Sequence, residues 1–280
     1  MDICNFEFAN RKLLILFLLF VTLFIAPVFA NHTATITISP NIANCNELGN
    51  TFTVTIENDA SSSDNLIQVE IPRYLPGISS LSCGPAPTGW FLTTPITDRC
   101  IYITEENSSY KISPGNSLNF TFNATMNSGS CNSTFNIVTV DDAKPQGDRD
   151  TNPVVVYIDC SPPQITKTIG DPNLPGVGFD WWITQNTQIN ITGSDSGNCD
   201  LGMAYCRWRY RVDGGCWSDW ENHTPGCNGN VSFTISFSED SVHDIQIECY
   251  DIAGNKATLN ETDKVDSTPP NTTKTYGAPY

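Results

Sequence analysis

Basic residues are scarce in this chain. Lysine and arginine number 14 against 30 aspartates and glutamates, for a formal net charge of −16. A surface that acidic repels nucleic acid and anionic membranes. Only three histidines occur, His32, His223 and His243, and no cysteine stands in a C-x-x-C pair, so disulfides account for the cysteines better than zinc does. Also missing are a G-x-S-x-G elbow, an H-E-x-x-H pair and a phosphate-cradling glycine loop. Glu105 and Glu106 are strand neighbours whose side chains point to opposite faces, which excludes the facing carboxylates of a glycosidase. No catalytic residue, and no cofactor other than calcium, is expected.

Long apolar runs are almost absent too. One extends from Leu13 to Ile25, behind Arg11 and Lys12 and ahead of Pro27 and Val28-Phe29-Ala30. It is short against the roughly 20 residues of a membrane span, and it predicts a secretory signal peptide over 1–30, cleaved after Ala30. Any membrane attachment of the mature chain is expected only through a segment outside these residues.

Cysteine is plentiful. Losing Cys4 with the leader leaves ten, an even number in a chain bound for an oxidising compartment: Cys45, Cys83, Cys100 and Cys131, then Cys160, Cys199, Cys206, Cys216, Cys227 and Cys249. All ten are expected in disulfides, four before and six after residue 159, with the pairing left open. N-glycosylation sequons stand at Asn31, Asn107, Asn119, Asn123, Asn132, Asn190, Asn222, Asn230, Asn260 and Asn271. In Leu118-Asn119-Phe120-Thr121-Phe122-Asn123-Ala124 the apolar residues take one phase and both asparagines the other, so sugars would coat the outer face of a strand.

No stretch carries helical apolar spacing. From 31 to 159 seven short β-branched or alternating runs, Ala34 to Ile38, Thr51 to Ile56, Leu66 to Ile71, Cys100 to Thr104, Ser117 to Ala124, Thr134 to Val140 and Val154 to Ile158, are separated by Pro, Gly, Asn and Ser clusters. A strand buries its apolar face only against a second sheet, so the count indicates an antiparallel β-sandwich. A second module over 160–265 has seven more runs, the last ending at Leu259. Between them lies a seam. Asp159-Cys-Ser-Pro-Pro-Gln-Ile-Thr-Lys-Thr-Ile-Gly-Asp-Pro172 returns 107 residues on as Asp266-Ser-Thr-Pro-Pro-Asn-Thr-Thr-Lys-Thr-Tyr-Gly-Ala-Pro279, identical at eight of fourteen positions. Such a period marks stacked modules, and 266–280 reads as the start of a further, truncated repeat.

The runs ISPNIANCNELGNTFTVTIEN and ISPGNSLNFTF, the YRVDGG segment at 210–215 with Trp217, and the DIAGN turn at 251–255 before the D-x-T-P-P linker together resemble the tandem Ig-like repeats of archaeal secreted and cell-surface proteins, S-layer-associated or adhesin-like. The resemblance implies an all-β fold of disulfide-stapled Ig-like sandwiches. It also implies display and adhesion at the cell surface, with other surface proteins or cell-wall polysaccharide as partners. A rival is the accessory or carbohydrate-binding region of a secreted hydrolase.

Two features invite ligands. Asp141, Asp142, Asp148, Asp150 and Asn152 form a calcium candidate through the D-x-D-x-N spacing, although Pro153 stands where a calcium loop needs glycine. Asp195 and Asp200 form a second. Adjacent Trp181 and Trp182 cannot both point inward from a strand, so one offers a face on which a sugar ring could stack. Arg207, Arg209 and Arg211 make a stripe on one strand face, expected to balance neighbouring carboxylates.

Overall fold

The computed structural model describes residues 32–45, 49–93, 98–105, 107–143, 147–197 and 199–277. The predicted leader 1–30, the sequon at Asn31 and the last three residues of the predicted further repeat lie outside them. The described residues form strands and loops without a helix, and so among them no helix is long and apolar enough to cross a membrane. The chain is all-β and divides into two compact units, each an Ig-like sandwich of two sheets.

The first unit runs to Ser161 and includes the loops 197–201 and 252–255. Its strands are β1 (Ala34–Ser39), β2 (Ile42–Ala43), β3 (Asn50–Asn58), β4 (Leu66–Pro72), β5 (Ile78–Cys83), β6 (Phe91–Leu92), β7 (Arg99–Ile103), β8 (Ser117–Met126), β9 (Asn132–Asp141) and β10 (Arg149–Ile158). One sheet has the order β1-β3-β8-β5, the other β2-β10-β9-β4-β7-β6. All pairs are antiparallel except β2 with β10. Alternation explains the core. Phe52, Val54 and Ile56 of β3 and Phe120, Phe122 and Ala124 of β8 turn inward and meet Phe135 and Ile137 of β9, all essentially solvent-free. Phe122 lies with its ring centroid 5.1 Å from Phe52 and 5.2 Å from Phe135. Each such ring contributes roughly 2 kcal/mol or more by leaving water.

Three strands here were not expected. The two-residue β2 and β6 are too short to show alternation. In β5, Ser79, Ser80 and Ser82 read as turn residues, and a bulge between Ile78 and Ser80 breaks the period.

The second unit comprises 162–196, 202–251 and 256–280. Its strands are β11 (Gln164–Ile169), β12 (Asn173–Pro175), β13 (Trp181–Ile183), β14 (Ile189–Ser194), β15 (Met203–Val212), β16 (Glu221–His223), β17 (Val231–Ile235), β18 (Val242–Asp251) and β19 (Lys256–Val265). They form the sheets β11-β14-β17 and β12-β13-β19-β18-β15-β16, with β13 and β19 parallel. This repeats the plan of the first unit, where β2 runs parallel to the closing strand β10. A separate core gathers Ile189 and Ile191 of β14, Val231 and Ile235 of β17, Cys206 and Trp208 of β15, and Ile245, Ile247 and Cys249 of β18. The chain leaves β15 through a tight turn in which Asp213 and Gly214 take left-handed backbone conformations, φ 48° and 71°. Aspartate and glycine are the residues that tolerate this.

Four disulfides are described: Cys45–Cys160, Cys83–Cys100, Cys131–Cys199 and Cys206–Cys249. Two of them correct the expected four-and-six division. Cys45 and Cys131 pair with Cys160 and Cys199, which follow the seam in sequence but belong to the first unit in space. A third correction concerns Cys216, which is an exposed free thiol. It follows the Asp213-Gly214 turn on the outside of the sheet, whereas Cys206 and Cys249 point into the core.

Candidate functional site

Three of the expected calcium ligands, Asp141, Asp142 and Asp150, accept hydrogen bonds from protein donors. Asp141 is fully buried, and its Oδ1 accepts the amides of Ala143 (3.1 Å) and Asp148 (2.7 Å) while Oδ2 meets His32 Nδ1 at 2.8 Å. Asp142 accepts the Asn65 amide and side chain and the Lys111 ammonium (2.7 Å). Burial pushes its carboxyl up, but the donors from Lys111 and Asn65 outweigh that and hold it below its ordinary value. Asp150 takes the Thr151 amide and the Asn152 side chain. Asp141, Asp142 and Asp150 thus turn carboxylate oxygens towards protein donors around the β9–β10 connection, while Asp148 contributes its backbone amide and Asn152 its side-chain amide. In the second candidate, Asp195 Oδ2 accepts the Gly202 amide at 2.8 Å.

The adjacent tryptophans separate as strand alternation requires. Trp181 packs against the core of the second unit, and Trp182 is 40% exposed. Trp182 meets Phe179 edge-on and, with exposed Leu174, lines an open groove of about 710 Å³ whose rim includes Asp171, Asn173 and Asp266. The described sequon asparagines are exposed apart from half-buried Asn230. Asn119, Asn123 and Asn190 each accept a hydroxyl from a threonine on the neighbouring strand, at 2.8, 2.7 and 2.8 Å.

Charge concentrates at two places in the second unit, and the first is the outer face of β15 and β18. Strand register sets Arg207 opposite Glu248, Arg209 opposite Gln246 and Arg211 opposite Asp244. Each guanidinium donates to its partner, at 2.6–2.9 Å from Arg207, 2.8 Å from Arg209 and 2.7 Å from Arg211. The same cations stack in a ladder with aromatic rings. Arg211 lies 4.9 Å from the Trp217 centroid, Arg209 lies 4.7 Å from Trp217 and 4.4 Å from Trp220, and Arg207 lies 4.3 Å from Trp220. Stacked cations of this kind contribute about 0.5–1 kcal/mol each where exposed. The loop after β15 is thereby pinned to the sheet, and the arginines are spent on the protein itself.

Glu248 anchors that ladder. Burial alone would raise its carboxyl, but donors from Lys256, Arg207 and Tyr250 outweigh it and hold the group down to about 2 from an ordinary 4.5. A carboxyl lowered on folding stabilises the fold above its unfolded value and loses that contribution as pH falls from about 4.5 towards 2. Because Arg207 and Lys256 are partly exposed, the contribution is discounted to roughly 2 kcal/mol. Glu248→Gln is expected to lower the urea midpoint at pH 7, and the gap from the parent to shrink progressively below about pH 4.5 and approach zero only near pH 2. A gap of equal size at both pH values would contradict it.

The second place is the interior. On β11, Ile165, Lys167 and Ile169 share the inner phase, and on β19 Leu259, Glu261, Asp263 and Val265 do. Lys167 therefore meets two inward carboxylates. Its Nζ lies 3.0 Å from Asp263 Oδ2 and also contacts the Glu261 carboxylate. The side chains of Lys167, Glu261 and Asp263 are 8%, 16% and 0% exposed. Asp180 joins from the entry to β13, its Oδ2 accepting the Thr262 amide at 2.7 Å, and one oxygen each of Asp180, Glu261 and Asp263 fall within 4.8 Å of one another. Asp263 Oδ1 has no hydrogen-bond partner among the described residues. Burial pushes Asp263 up, more than Lys167 offsets, and burial likewise pulls Lys167 down, more than Asp263 offsets.

No family model and no curated protein sequence matches this chain. Among solved structures it is similar to the C-terminal domain of the Streptococcus pyogenes antigen I/II-family protein AspA, at 9% identity and a TM-score of 0.35, over 84% of this chain and all of that one. Domains D2 and D3 of the major pilin SpaD from Corynebacterium diphtheriae align at 11% identity and a TM-score of 0.32, over 81% of this chain and 88% of that one. Fibronectin(III)-like modules of Clostridium thermocellum CbhA align at 14% and 0.30, over 82% and 93%. Scores this low carry no functional weight.

Proposed function

We propose that this chain is a non-enzymatic, extracellular structural or adhesive protein of a cell surface, built of Ig-like sandwiches and, by its sequence resemblance, archaeal and S-layer-associated or adhesin-like. The observation that supports it best is the set of four disulfides, two of which, Cys83–Cys100 and Cys206–Cys249, join strands that line the two cores. Such bonds persist in oxidising surroundings. Sugars on the outward sequon asparagines would face solvent, and other surface proteins or cell-wall polysaccharide are the partners this reading implies.

The test is thiol labelling of the chain recovered from its own cells. Cys45, Cys83, Cys100, Cys131, Cys160, Cys199, Cys206 and Cys249 are expected to resist alkylation until reductant is added, in a surface-accessible fraction. Recovery as a reduced intracellular protein would overturn the reading. A carbohydrate-binding region of a secreted hydrolase is the second reading, favoured by exposed Trp182 in its groove. Retention on insoluble polysaccharide that Trp182→Ala abolishes would support it, and retention unaltered by that change would remove it.

A further inference from the structure

We propose that the second sandwich closes itself covalently, through an amide bond between Lys167 Nζ and the side-chain carbonyl carbon of Asp263, with Glu261 carrying the proton. The three groups stand in the gap between facing sheets, and the pair joins the first strand of the unit to its last, 96 residues apart.

The same locus in the first unit is apolar. Strands β10 and β19 correspond residue for residue at the 107-residue period, so Val154 and Val156 occupy the places of Glu261 and Asp263. The first strand there offers Ile36 and Ile38 to the core. Charge at this point is thus a feature of the second sandwich and not a demand of the fold.

As a plain ion pair the cluster is poorly balanced. One ammonium faces the carboxylates of Glu261 and Asp263, with Asp180 beside them, and Asp263 keeps an unpartnered buried oxygen. Buried ion pairs regain their desolvation cost only when the remaining lone pairs are satisfied. Burial favours the neutral amine and the neutral acid, the forms that condense. His243, buried on β18 directly across from Asp263, meets the accepting Glu239 carboxylate through Nε2 at 3.1 Å and adds no carboxylate to the pocket.

The step balances without an outside reagent. The Lys167 amine attacks Asp263 Cγ and forms the N–C bond. Glu261 takes a proton from nitrogen and delivers it to the departing hydroxyl, the C–O bond breaks, and one water leaves. Oriented intramolecular reactions reach effective molarities on the order of 10⁵ M or more, above the concentration of liquid water that opposes condensation.

Peptide mapping of the full secreted chain tests this. After reduction and removal of any Asn260 glycan, trypsin is expected to leave Lys167 uncut and to yield peptide 257–264 linked to it, lighter by one water than the two separate peptides. Fragmentation should place the link on Asp263. Glu261→Gln, checked as folded by near-ultraviolet circular dichroism, is expected to release both peptides unlinked. Free, unmodified peptides from the parent chain, or a link to Glu261, would overturn the proposal.

Discussion

Phe122→Ala is expected to lower the unfolding free energy of the first sandwich by about 3–5 kcal/mol, read as a fall in urea midpoint at unchanged slope. Phe122 is fully buried near the middle of β8, and its ring touches the next strand of its own sheet, at Phe52, and the facing sheet, at Phe135. Truncation therefore removes contacts in both directions, and neither neighbour can fill the space. Phe52 and Phe135 are themselves held by backbone ladders on both sides. The flanking residues Asn123 and Thr121 point to the other face, so no compensating solvent contact arises. A loss well under 2 kcal/mol would mean that the sheets close over the cavity, and that the three rings are not a fixed stack. The second sandwich has a separate core, so its own transition should stay in place.

Alternation made much of this architecture legible. In β8, β15 and β18 long runs of inward apolar residues keep one phase, and expectation and structure agree on them closely. The division of Trp181 from Trp182 also follows from period two alone. The interior cluster did not emerge this way. The final strand was expected to end at Leu259, short of Glu261 and Asp263. The structure continues it to Val265 with both carboxylates inward. A signal existed in the internal repeat, since Val154, Val156 and Ile158 stand one period before Glu261, Asp263 and Val265. Lys167, flanked by Ile165 and Ile169 in phase, is the matching clue on the other sheet. Disulfide pairing was not legible at all, because spacing along a chain carries no distance across a sandwich. The surroundings of the calcium candidates were illegible for a related reason. Acidic residues in sequence specify where oxygens can be, while the fold brings His32 to Asp141 and Lys111 to Asp142 from distant segments.

Replacing Cys206 and Cys249 together by alanine is expected to cost the second sandwich about 4 kcal/mol, the chain-entropy value for a closed loop of this size. The two residues lie opposite each other on neighbouring strands, 43 positions apart, and both are solvent-free. Gly193 on the facing sheet makes room for the bridge. A Cβ there would stand 2.4 Å from Cys206 Sγ and 2.9 Å from Cys249 Sγ. The disulfide thus fills the space that a side chain at 193 would otherwise occupy, and its removal opens a cavity that adds to the entropic loss. This dependence gives a second, opposite effect. Gly193→Ala in the parent protein overpacks the core and is expected to destabilise it by about 1–3 kcal/mol. In the Cys206→Ala, Cys249→Ala background the same methyl enters vacant space and is expected to be neutral or stabilising. Urea unfolding of the four proteins under oxidising conditions closes the cycle. Additive losses would show that Gly193 does not sense the bridge, and that the two sheets are held apart at this point by something other than the sulfurs.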